Sequence, residues 1–401
     1  MLSPAEAESL IARQLRPFHR EHCPLAGAHG RVLREGIHAD RDLPPFDRVT
    51  MDGYALRARS VAAGVRRFRI ERVQAAGMRA FTLGEADDAC IEVMTGAVLP
   101  AGADCIVPYE DTERDGAGMI VRGSASGIFA GFSVHRRGSD HRRGEEIVAA
   151  GTRLGGREIA IAAACGYNTL TVSQIPRIAV VATGDELVEV DSPVAAHQIR
   201  RSNDHAIRAA MSLAGYPGAD RFHLRDLPRE IEHLLWHILA EYEVVILTGG
   251  VSKGRFDLLP DELERQGVRK ILQGVAQRPG KPLWVGVSDR GVMVFALPGN
   301  PVSAYTCLHR YVLPALDLAS GLKARELQLV PLGATHIFRP KLACMLPVKL
   351  ANGPDGVTRA LPRPGNTSGD LAGLVGTDGF VELPAEVAEF PAGTLTPFRP
   401  W

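Results

Sequence analysis

The chain contains 401 residues, of which 45% are hydrophobic and 23% are charged. This length exceeds one ordinary domain, and the composition is typical of packed soluble proteins. The 46 basic and 46 acidic residues cancel, which argues against a general nucleic-acid binder, because such proteins usually carry a basic excess. The sequence has no apolar run of about 18 residues and no signal-peptide pattern, so we expect a cytoplasmic protein without membrane spans.

The N-terminal half predicts a helix followed by short strands. Residues 1–20 form one amphipathic pattern, in which Ser3 and Glu6 have the spacing of a capping box. Turns and short strands follow over 25–57, and apolar runs split by Gly, Pro and Asp over 60–123 are typical of a small β-rich module. A second helix and one more strand complete this half.

From Pro176 onward, strand-like runs alternate with helical patterns. This alternation over 176–320 predicts a three-layer α/β domain with a mainly parallel sheet. The run "PLWVGVSDRGVMVFAL" is typical of a hairpin instead, so we expect the sheet to be mixed. The helical patterns lie near 203–215, 228–240, 257–267 and 301–319.

The predicted fold class is therefore α/β and β multidomain. A central three-layer α/β domain with a mainly parallel but mixed sheet is joined by small β-rich N-terminal and C-terminal subdomains. The expected domains are an N-terminal α+β subdomain formed by 1–45 and 138–175, a small β-rich subdomain over 46–137, an α/β domain over 176–322 and a C-terminal β subdomain over 323–401.

Ligands of open α/β sheets bind beyond the carboxyl ends of the strands, and three such ends carry unusual residues here. The first strand stops at Thr183, and Gly184 permits a tight turn before Asp185 and Glu186. A carboxylate at this edge could bind Mg²⁺ or hold a hydroxyl group. Alternatively, the two acids begin a helix, where negative charge suits the helix dipole.

The second strand end is the stretch "TGGVSKGRFD". The backbone N–H groups of Gly249, Gly250 and Ser252 could form a nest for phosphate or another oxyanion, and Lys253 adds positive charge. Asp257 could face a metal ion or cap the following helix. The alternative is that the glycine pair is only a connection between two elements.

The third strand end is the turn "LPGNPVS". Pro298 stiffens the turn, Pro301 suits the first position of a helix, and Ser303 offers a hydroxyl group near the helix N-terminus. Helix N-termini bind anions through their free N–H groups. Alternatively, Asn300 caps the helix and nothing binds there.

Charged residues outside these strand ends also suit an anion or a metal ion. Arg278 and Lys281 flank a Pro-Gly turn, which holds two cations close together for phosphate or a small dianion, unless the loop is merely solvated. Asp52 precedes a glycine in a Pro-rich stretch and otherwise forms an ordinary turn. Asp140 lies among arginines that include Arg136, a pattern that suits a metal and phosphate pocket or a solvated face.

Seven motifs, in this order, resemble the bacterial MoeA family of molybdopterin molybdenumtransferases, whose eukaryotic relatives include the E domain of gephyrin. They are "DRDLPPFDRVTMDGYA", "VMTGAVLPAGAD", "HRRGSD", "PRIAVVATGDELVE", "ILTGGVSKGRFD", "RPGKP" and "LPGNPVSA". The resemblance covers essentially the whole chain and implies an elongated homodimer with four subdomains per chain. It implies an enzyme that inserts molybdenum from molybdate into adenylylated molybdopterin, hydrolyses the adenylyl bond and releases AMP, with Mg²⁺ as the helper ion.

The resemblance also implies roles for individual residues. Asp52, Asp226 and Asp257 are expected at the metal and phosphate end, whereas Glu186 and Asp140 are expected nearer the molybdenum chemistry. The implied catalytic residues are Asp52, Thr95, Asp140, Glu186, Asp226 and Asp257. The expected substrate- and anion-binding residues are Arg136, Gly249, Gly250, Ser252, Lys253, Arg278, Lys281, Pro298, Pro301 and Ser303.

One position departs from the family pattern, because Gly274 stands where relatives usually carry a lysine before the "RPGKP" motif. Lys253 or Arg255 could compensate for the missing cation. Two alternative functions follow: a molybdopterin adenylyltransferase, against which the N-terminal acids argue, and a catalytically weakened paralogue that acts as a cofactor-binding or scaffold protein. The implied partners are small-molecule substrates and, transiently, a molybdopterin adenylyltransferase and molybdoenzyme chaperones.

Overall fold

The computed structural model describes residues 1–123, 127–250, 259–324 and 326–401. They form two compact units, and unit 2 is inserted into the sequence of unit 1. The multidomain α/β and β fold is confirmed, whereas the boundaries of the four subdomains stay a prediction. Within the described ranges, none of the helices combines the length and apolar character needed to cross a membrane. Unit 1 consists of Met1–Arg34, Gly151–Gly155 and Thr169–Trp401, and unit 2 consists of Glu35–Ala150 and Gly156–Asn168.

The first helix, α1 (Pro4–Ala12), has the predicted capping box. The hydroxyl of Ser3 accepts a hydrogen bond from the N–H of Glu6 at 3.3 Å, and the Glu6 carboxylate accepts one from the Ser3 N–H at 2.7 Å. The helix is nevertheless shorter than predicted, because β1 (Arg20–Pro24) already follows. Pro17 prevents a helix that runs on to residue 20, since proline disfavours helical backbone at the preceding residue and lacks the N–H that a helix needs.

Unit 2 is built on a mixed six-stranded sheet. Its elements are β2 (Ile37–His38), β3 (Arg48–Val49), β4 (Gly53–Leu56), α2 (Ala58–Ala62), β5 (Arg67–Gln74), β6 (Ala89–Val93), β7 (Cys105–Pro108), a 3₁₀ turn (Tyr109–Asp111), β8 (Thr112–Asp115), β9 (Gly118–Val121), β10 (Val134–His135), β11 (Glu146–Val148) and α3 (Gly156–Ala164). The strand order is β7-β4-β6-β5-β9-β8, in which only β5 and β6 run parallel. Two short antiparallel ladders, β3 with β10 and β2 with β11, bring the stretches around Asp52 and Asp140 toward each other.

Most of unit 1 is the predicted α/β domain. After β12 (Thr169–Ser173), which pairs with β1, its elements are β13 (Ile178–Thr183), β14 (Leu187–Val188), β15 (Ile199–Arg200), α4 (Asn203–Leu213), β16 (Asp220–Leu224), α5 (Pro228–Glu241), β17 (Val244–Thr248), α6 (Leu259–Arg265), β18 (Val268–Gln273), β19 (Gln277–Arg278), β20 (Trp284–Ser288), β21 (Met293–Leu297), α7 (Pro301–Cys307), one turn of π-helix (Leu308–Val312) and α8 (Leu313–Ala319). These bounds match the four predicted helical patterns within the described residues.

The central sheet is mixed, as predicted, in the order β16-β13-β17-β21-β20-β18. The strands β16, β13, β17 and β21 run parallel, and β20 pairs antiparallel with both β21 and β18. The hairpin expected from "PLWVGVSDRGVMVFAL" is the β20–β21 pair. Because four neighbouring strands are parallel, their carboxyl ends lie at one edge of the sheet.

Helices cover both faces of this sheet and make three layers. Along β13, Val180 belongs to a core shared with α4, α7 and α8, whereas Val181 belongs to a core shared with α5 and α6. The same alternation continues along β17 and β21, because successive side chains of a strand point to opposite faces. Helix α1 joins the first core through Ile11 and packs against β18 and α8.

The C-terminal β module is the remaining part of unit 1. Its elements are β22 (Leu329–Pro331), β23 (His336–Ile337), β24 (Ala343–Asn352), β25 (Thr358–Pro362), a 3₁₀ turn (Leu371–Leu374), β26 (Gly379–Leu383), β27 (Glu389–Phe390) and β28 (Leu395–Pro400). The sheet order is β19-β24-β26-β28-β22, with β25 paired to β24. Strand β19 carries the start of the basic Pro-Gly turn, so this turn is attached to the C-terminal module as well as to the α/β domain.

Candidate functional site

The carboxyl edge of the parallel strands forms one wall of a cavity in unit 1. Thr183 of β13 pairs with Leu224 of β16, Ala182 pairs with Thr248 of β17, and Thr248 pairs with Leu297 of β21, so these strands end at the same level. The loops that leave them enclose a cavity of about 620 Å³, which we call the rim cavity. Its lining includes Thr183, Gly184, Glu186, Arg201, Asn203, Asp226, Gly249, Gly250, Pro298, Gly299 and Pro301.

The glycine turn after β17 requires glycine for steric reasons. Gly249 has a φ of +95° and Gly250 a φ of +66°, which are left-handed conformations that side chains disfavour. A Cβ atom added at Gly249 would lie 2.8 Å from the carbonyl oxygen of Thr183. The Gly249 N–H donates to the Leu297 carbonyl at 3.1 Å, so the turn is tied to the neighbouring strand.

Two of the predicted acids, Glu186 and Asp226, line the rim cavity. The alternative that Asp185 and Glu186 begin a helix is wrong, because β14 follows them directly and the next helix is α4. Asp185 instead ties two loops together, since its carboxylate accepts a hydrogen bond from the Asp226 N–H at 3.1 Å. Glu186 and Asp226 therefore supply carboxylate groups to the cavity wall from two neighbouring strand ends.

The start of α4 contributes residues that the sequence reasoning missed. Arg201 lines the cavity although its side chain is only 5% exposed, and it forms ion pairs with Glu189 at 2.6 Å and with the fully buried Asp204 at 3.6 Å. Asn203 donates from its amide to the Gly299 carbonyl at 2.8 Å, which fixes the proline turn. The Ser-Asn-Asp sequence at the start of the helical pattern was the available signal, because these residues favour helix N-termini.

The proline turn after β21 separates the rim cavity from a second cavity of about 480 Å³. Pro298 lines both cavities, and Pro301 occupies the first turn of α7 as predicted. Asn300 precedes the helix, but its side chain makes no cap hydrogen bond and donates instead to the Ser368 hydroxyl at 2.9 Å. The turn is thus held by the C-terminal module, and Ser368 is a further residue that the sequence reasoning missed.

We call this second space the C-terminal cavity. Arg278, Lys281 and Ser303 line it together with residues of the C-terminal module such as Asn366 and Ser368. Arg278 and Lys281 are exposed, whereas Ser303 is buried within α7. The two predicted cations and the predicted hydroxyl therefore do face one space, which suits an oxyanion.

The buried side-chain amide of Gln277 stabilises the turn that carries Arg278 and Lys281. The Gln277 side chain donates to the Pro279 carbonyl at 3.0 Å and accepts a short hydrogen bond from the Tyr311 hydroxyl in the π-helical turn. Burial raises the pKa of the Cys307 thiol to about 12, so this thiol stays neutral, and it lies 3.7 Å from the Gly280 carbonyl. These contacts fix the turn without using either of its cations.

In unit 2, Asp52 and Thr95 form one hydrogen-bonded pair. The Asp52 carboxylate accepts from the Thr95 N–H at 2.6 Å and from the Thr95 hydroxyl at 2.7 Å. These two donors lower the pKa of Asp52, with the backbone N–H contributing more than the hydroxyl. Both side chains are exposed, so an ionised carboxylate is presented to solvent.

The surroundings of Asp140 differ from the sequence interpretation. Its carboxylate lies 2.8 Å from Nε2 of His135, and the other ring nitrogen of His135 lies 3.0 Å from the guanidinium of Arg48. Arg136 instead donates to Asp47 at 2.7 Å. Burial opposes the ionisation of Asp47, but hydrogen bonds from the Arg137 N–H and from Arg136 outweigh it, so the pKa of Asp47 is lowered.

The predicted residues thus form two groups. Unit 1 brings Glu186, Asp226, Gly249 and Gly250 to the rim cavity, and unit 2 holds Asp52, Thr95, Asp140 and Arg136 around the β3–β10 ladder. That the two groups meet in one site stays a prediction. Ser252, Lys253, Arg255 and Asp257 lie outside the described residues.

Gly274, which departs from the family pattern, has a φ of +81°. This left-handed conformation suits glycine and would strain a lysine. The Gly274 N–H donates to the Leu283 carbonyl at 2.8 Å, so the backbone here is fixed just before the basic turn. The backbone at this position therefore favours glycine over the lysine that relatives usually carry.

The carboxylates suit a magnesium ion only in part. Within the ranges that the structure describes, no three His, Cys, Asp or Glu side chains are grouped closely enough to hold a metal ion. Mg²⁺ commonly keeps several water ligands and binds one or two carboxylates plus substrate phosphates. The Asp226 carboxylate at the rim cavity is compatible with this mode, in which phosphate and water would complete the coordination.

Three family models together match most of the chain. The model described as MoeA N-terminal region (domain I and II) matches residues 2–166, the probable molybdopterin binding domain matches 179–318, and the MoeA C-terminal region (domain IV) matches 330–401. A molybdopterin molybdenumtransferase of Synechocystis sp. is 38% identical, and the alignment covers 100% of both chains. The enzyme of the same name from Staphylococcus epidermidis is 30% identical, over 98% of this chain and 94% of that one.

Solved structures agree over the full length. A molybdopterin biosynthesis MoeA protein from Pyrococcus horikoshii superposes with a TM-score of 0.79 at 29% identity, covering 100% of this chain and 99% of the other. A second MoeA structure from the same organism has a TM-score of 0.82 at 23% identity and 100% coverage of both chains, which supports the fold alone. Taken with the motifs and the rim cavity, these matches mean that the chain belongs to the MoeA family of molybdopterin molybdenumtransferases.

Proposed function

We propose that this chain is an enzyme that inserts molybdenum from molybdate into adenylylated molybdopterin, with hydrolysis of the adenylyl bond and release of AMP. The observation that carries this proposal is the pair of cavities on either side of the Pro298–Pro301 turn. One cavity offers carboxylates and a glycine turn, and the other offers Arg278 and Lys281. The full-length similarity to molybdopterin molybdenumtransferases supports the same reaction.

The charges of the substrates match these groups. Molybdate is a dianion and the adenylylated substrate carries phosphates, so cations and backbone N–H groups are needed to bind them. Arg278 and Lys281 would hold an oxyanion in the C-terminal cavity, with the Ser303 hydroxyl as a further donor. The Gly249–Gly250 turn would approach the phosphates, because no side chain blocks its backbone there.

The acids would divide the work between two ends of the substrate. Asp226, with Asp52 and Asp257, would hold Mg²⁺ beside the phosphates, and the bound ion would polarise the phosphoanhydride. Glu186 and Asp140 would act nearer the molybdenum, and Thr95 would keep Asp52 ionised and oriented. Arg136 would contribute its exposed guanidinium N–H groups while its ion pair with Asp47 positions it.

We further propose a homodimer in the cytoplasm, with transient contact to a molybdopterin adenylyltransferase and to molybdoenzyme chaperones. Light scattering coupled to size-exclusion chromatography tests the dimer: a particle with the mass of a single chain would contradict it.

The direct test is a reconstituted reaction. The purified chain, adenylylated molybdopterin, Mg²⁺ and molybdate are expected to release AMP and to yield a cofactor that activates a molybdoenzyme lacking it. ATP-dependent formation of the adenylylated substrate would support the adenylyltransferase alternative instead. Tight substrate binding without AMP release would support the scaffold alternative.

A single substitution tests the role of Glu186. We expect Glu186→Gln to bind the adenylylated substrate with nearly unchanged affinity but to lower the rate of molybdenum insertion at least about a hundredfold, as for loss of a catalytic acid or base. Glu264→Gln is the matched control, because Glu264 pairs with Lys270 on the surface and does not line the rim cavity. Lost binding with unchanged turnover per bound substrate would show that the assigned role is wrong.

A further inference from the structure

Helix α5 presents two histidines on its outer face. Its inner face packs against the sheet through apolar residues such as Ile231 and Leu235, which are buried. His233 and His237 are exposed, and they lie four residues apart, which places them one above the other on the helix surface. Neither residue contributes to a cavity described above.

The two imidazole rings already have the spacing of a chelating pair. Their Nε2 atoms are 3.2 Å apart, and the ring centroids are 4.5 Å apart with nearly perpendicular planes. A metal ion that binds two imidazoles at about 2.0–2.1 Å separates the nitrogens by roughly 2.9 Å at a right angle and roughly 3.3 Å at a tetrahedral angle. The observed separation falls within this interval, so the two nitrogens are already spaced for one cation.

The short separation also has a consequence for protons. Two Nε2 atoms at 3.2 Å attract each other when one ring carries a proton there and the other does not, and they repel when both do. A divalent cation would bind both nitrogens without a proton on either, because neutral imidazole nitrogen is the form that binds metals.

We propose that His233 and His237 form a two-histidine site for an exchangeable divalent transition-metal cation. Imidazole nitrogen suits Zn²⁺, Ni²⁺ and Cu²⁺, and the general order of divalent affinities favours Cu²⁺ among them. The hard cation Mg²⁺ prefers oxygen ligands, so the site is selective against it. In the described part of the chain no third ligating side chain joins the pair, and water fills the remaining coordination positions.

The structure supplies a reporter for this site. The ring centroid of Trp236 lies 5.0 Å from that of His237, and the Trp236 side chain is exposed. Cu²⁺ bound at the histidines is expected to quench the fluorescence of Trp236. Trp284 is fully buried in the sheet and Trp401 is half-buried, so a Trp236→Phe variant identifies the part of the emission that belongs to Trp236.

The test is a titration of the full chain with CuCl₂, NiCl₂, ZnCl₂ and MgCl₂, followed by tryptophan fluorescence and, for Cu²⁺, by electron paramagnetic resonance. We expect the most tightly bound Cu²⁺ ion to quench the fluorescence of the exposed tryptophan. Its electron paramagnetic resonance spectrum is expected to show two nitrogen donors, whereas Mg²⁺ has no effect on the fluorescence. His233→Gln and His237→Gln are each expected to weaken this binding at least tenfold and to leave one nitrogen donor.

Two comparisons keep the result unambiguous. His197→Gln removes an exposed histidine of the same domain outside α5 and is expected to leave the quenching unchanged. Far-ultraviolet circular dichroism checks that the α5 variants remain folded, which is expected because both histidines are exposed. If both α5 variants keep wild-type Cu²⁺ affinity and quenching, the proposal is overturned. It does not depend on the proposed function, because the readout is binding and not turnover.

Discussion

Asp52 shows how local hydrogen bonds keep an exposed carboxylate charged. Two hydrogen bonds from Thr95 favour the charged carboxylate and lower its pKa, although the group is exposed. A carboxylate with a lowered pKa stabilises the folded chain above the pKa of the unfolded chain, and this contribution is lost as the pH falls through the folded value. Asp52 is therefore ionised throughout the neutral range.

Thr95→Val tests this hydrogen-bonded pair. The substitution removes the hydroxyl donor and keeps the backbone N–H, so we expect the pKa of Asp52 to rise toward its ordinary value without reaching it. Carbon-13 NMR titration of the Asp52 carboxyl measures the change. Thr50→Val is the control, because the Thr50 hydroxyl donates to the Ser133 carbonyl and not to a carboxylate. An unchanged titration in Thr95→Val would mean that the hydroxyl plays no part.

At the scale of elements, the turn after β17 depends on the close approach of its neighbours. A Cβ atom added at Gly299 would lie 3.5 Å from the Cα of Gly249, so the glycine turn and the proline turn are already in contact. Together with the positive φ of Gly249, this contact leaves the loop no room for a side chain. At the glycine turn, the wall of the rim cavity is thus formed by backbone rather than by side chains.

We expect Gly249→Ala to lower the free energy of unfolding by about 2–4 kcal/mol, because a left-handed alanine and a clash with Thr183 add together. Gly267→Ala is the matched control: Gly267 has a φ of +83° but open space around its Cα, so only the backbone strain of about 1 kcal/mol applies. Urea denaturation measures both. Equal losses in the two variants would contradict the steric argument.

At the scale of the whole molecule, the C-terminal residue joins two parts of unit 1. Trp401 stacks near Tyr305 and His309 of the α7 and π-helical segment, with ring centroids 5.3 and 5.4 Å away, and its indole N–H donates to Thr377 at 2.8 Å. Burial lowers the pKa of His309 to about 4. Protonation of His309 at low pH therefore places a buried charge at the contact between the α/β domain and the C-terminal module, which weakens this contact.

This contact predicts a pH-dependent stability. Between pH 6.5 and pH 4 the unfolded chain binds a proton at His309 that the folded chain does not, so the free energy of unfolding falls as the pH falls, by about 1–3 kcal/mol. His309→Phe keeps an aromatic ring there and is expected to flatten the profile in this range. His19→Phe, at an exposed histidine, should retain it. Urea denaturation at a series of pH values measures the free energy of unfolding of the wild type and of both variants. If this free energy depends on pH with the same slope in all three proteins, the prediction is contradicted.

Local patterns predicted much of this architecture. The strands β13, β17 and β21 are buried on both faces and read as continuous apolar runs, so their type and the parallel sheet follow from hydrophobicity. Parallel strand ends share one edge, which is why Glu186 and the glycine turn could be placed together from local patterns, whereas Asp226 was predicted through the family resemblance. The capping box of α1 was predictable because it depends on a spacing of three residues.

Long-range contacts were not predictable in the same way. Strand β19 has only two residues and pairs with β24 far along the chain. Such a short strand shows no alternation of apolar and polar residues from which it could be predicted. The Asn300 side chain donates a hydrogen bond to Ser368, and Asp140 pairs with His135. Both contacts depend on the paths of loops in the folded chain, which cannot be predicted from the spacing of residues in the sequence. The predicted helix over 1–20 was too long because its amphipathic pattern outweighed Pro17.

The early position of α1 in the sequence has a consequence for biosynthesis. Its packing partners β18 and α8 are translated more than two hundred residues later, after all of unit 2. At ordinary rates of translation this interval is on the order of tens of seconds. Throughout that time the apolar side of the first helix emerges from the ribosome uncovered, which makes the nascent chain a natural client for holding chaperones.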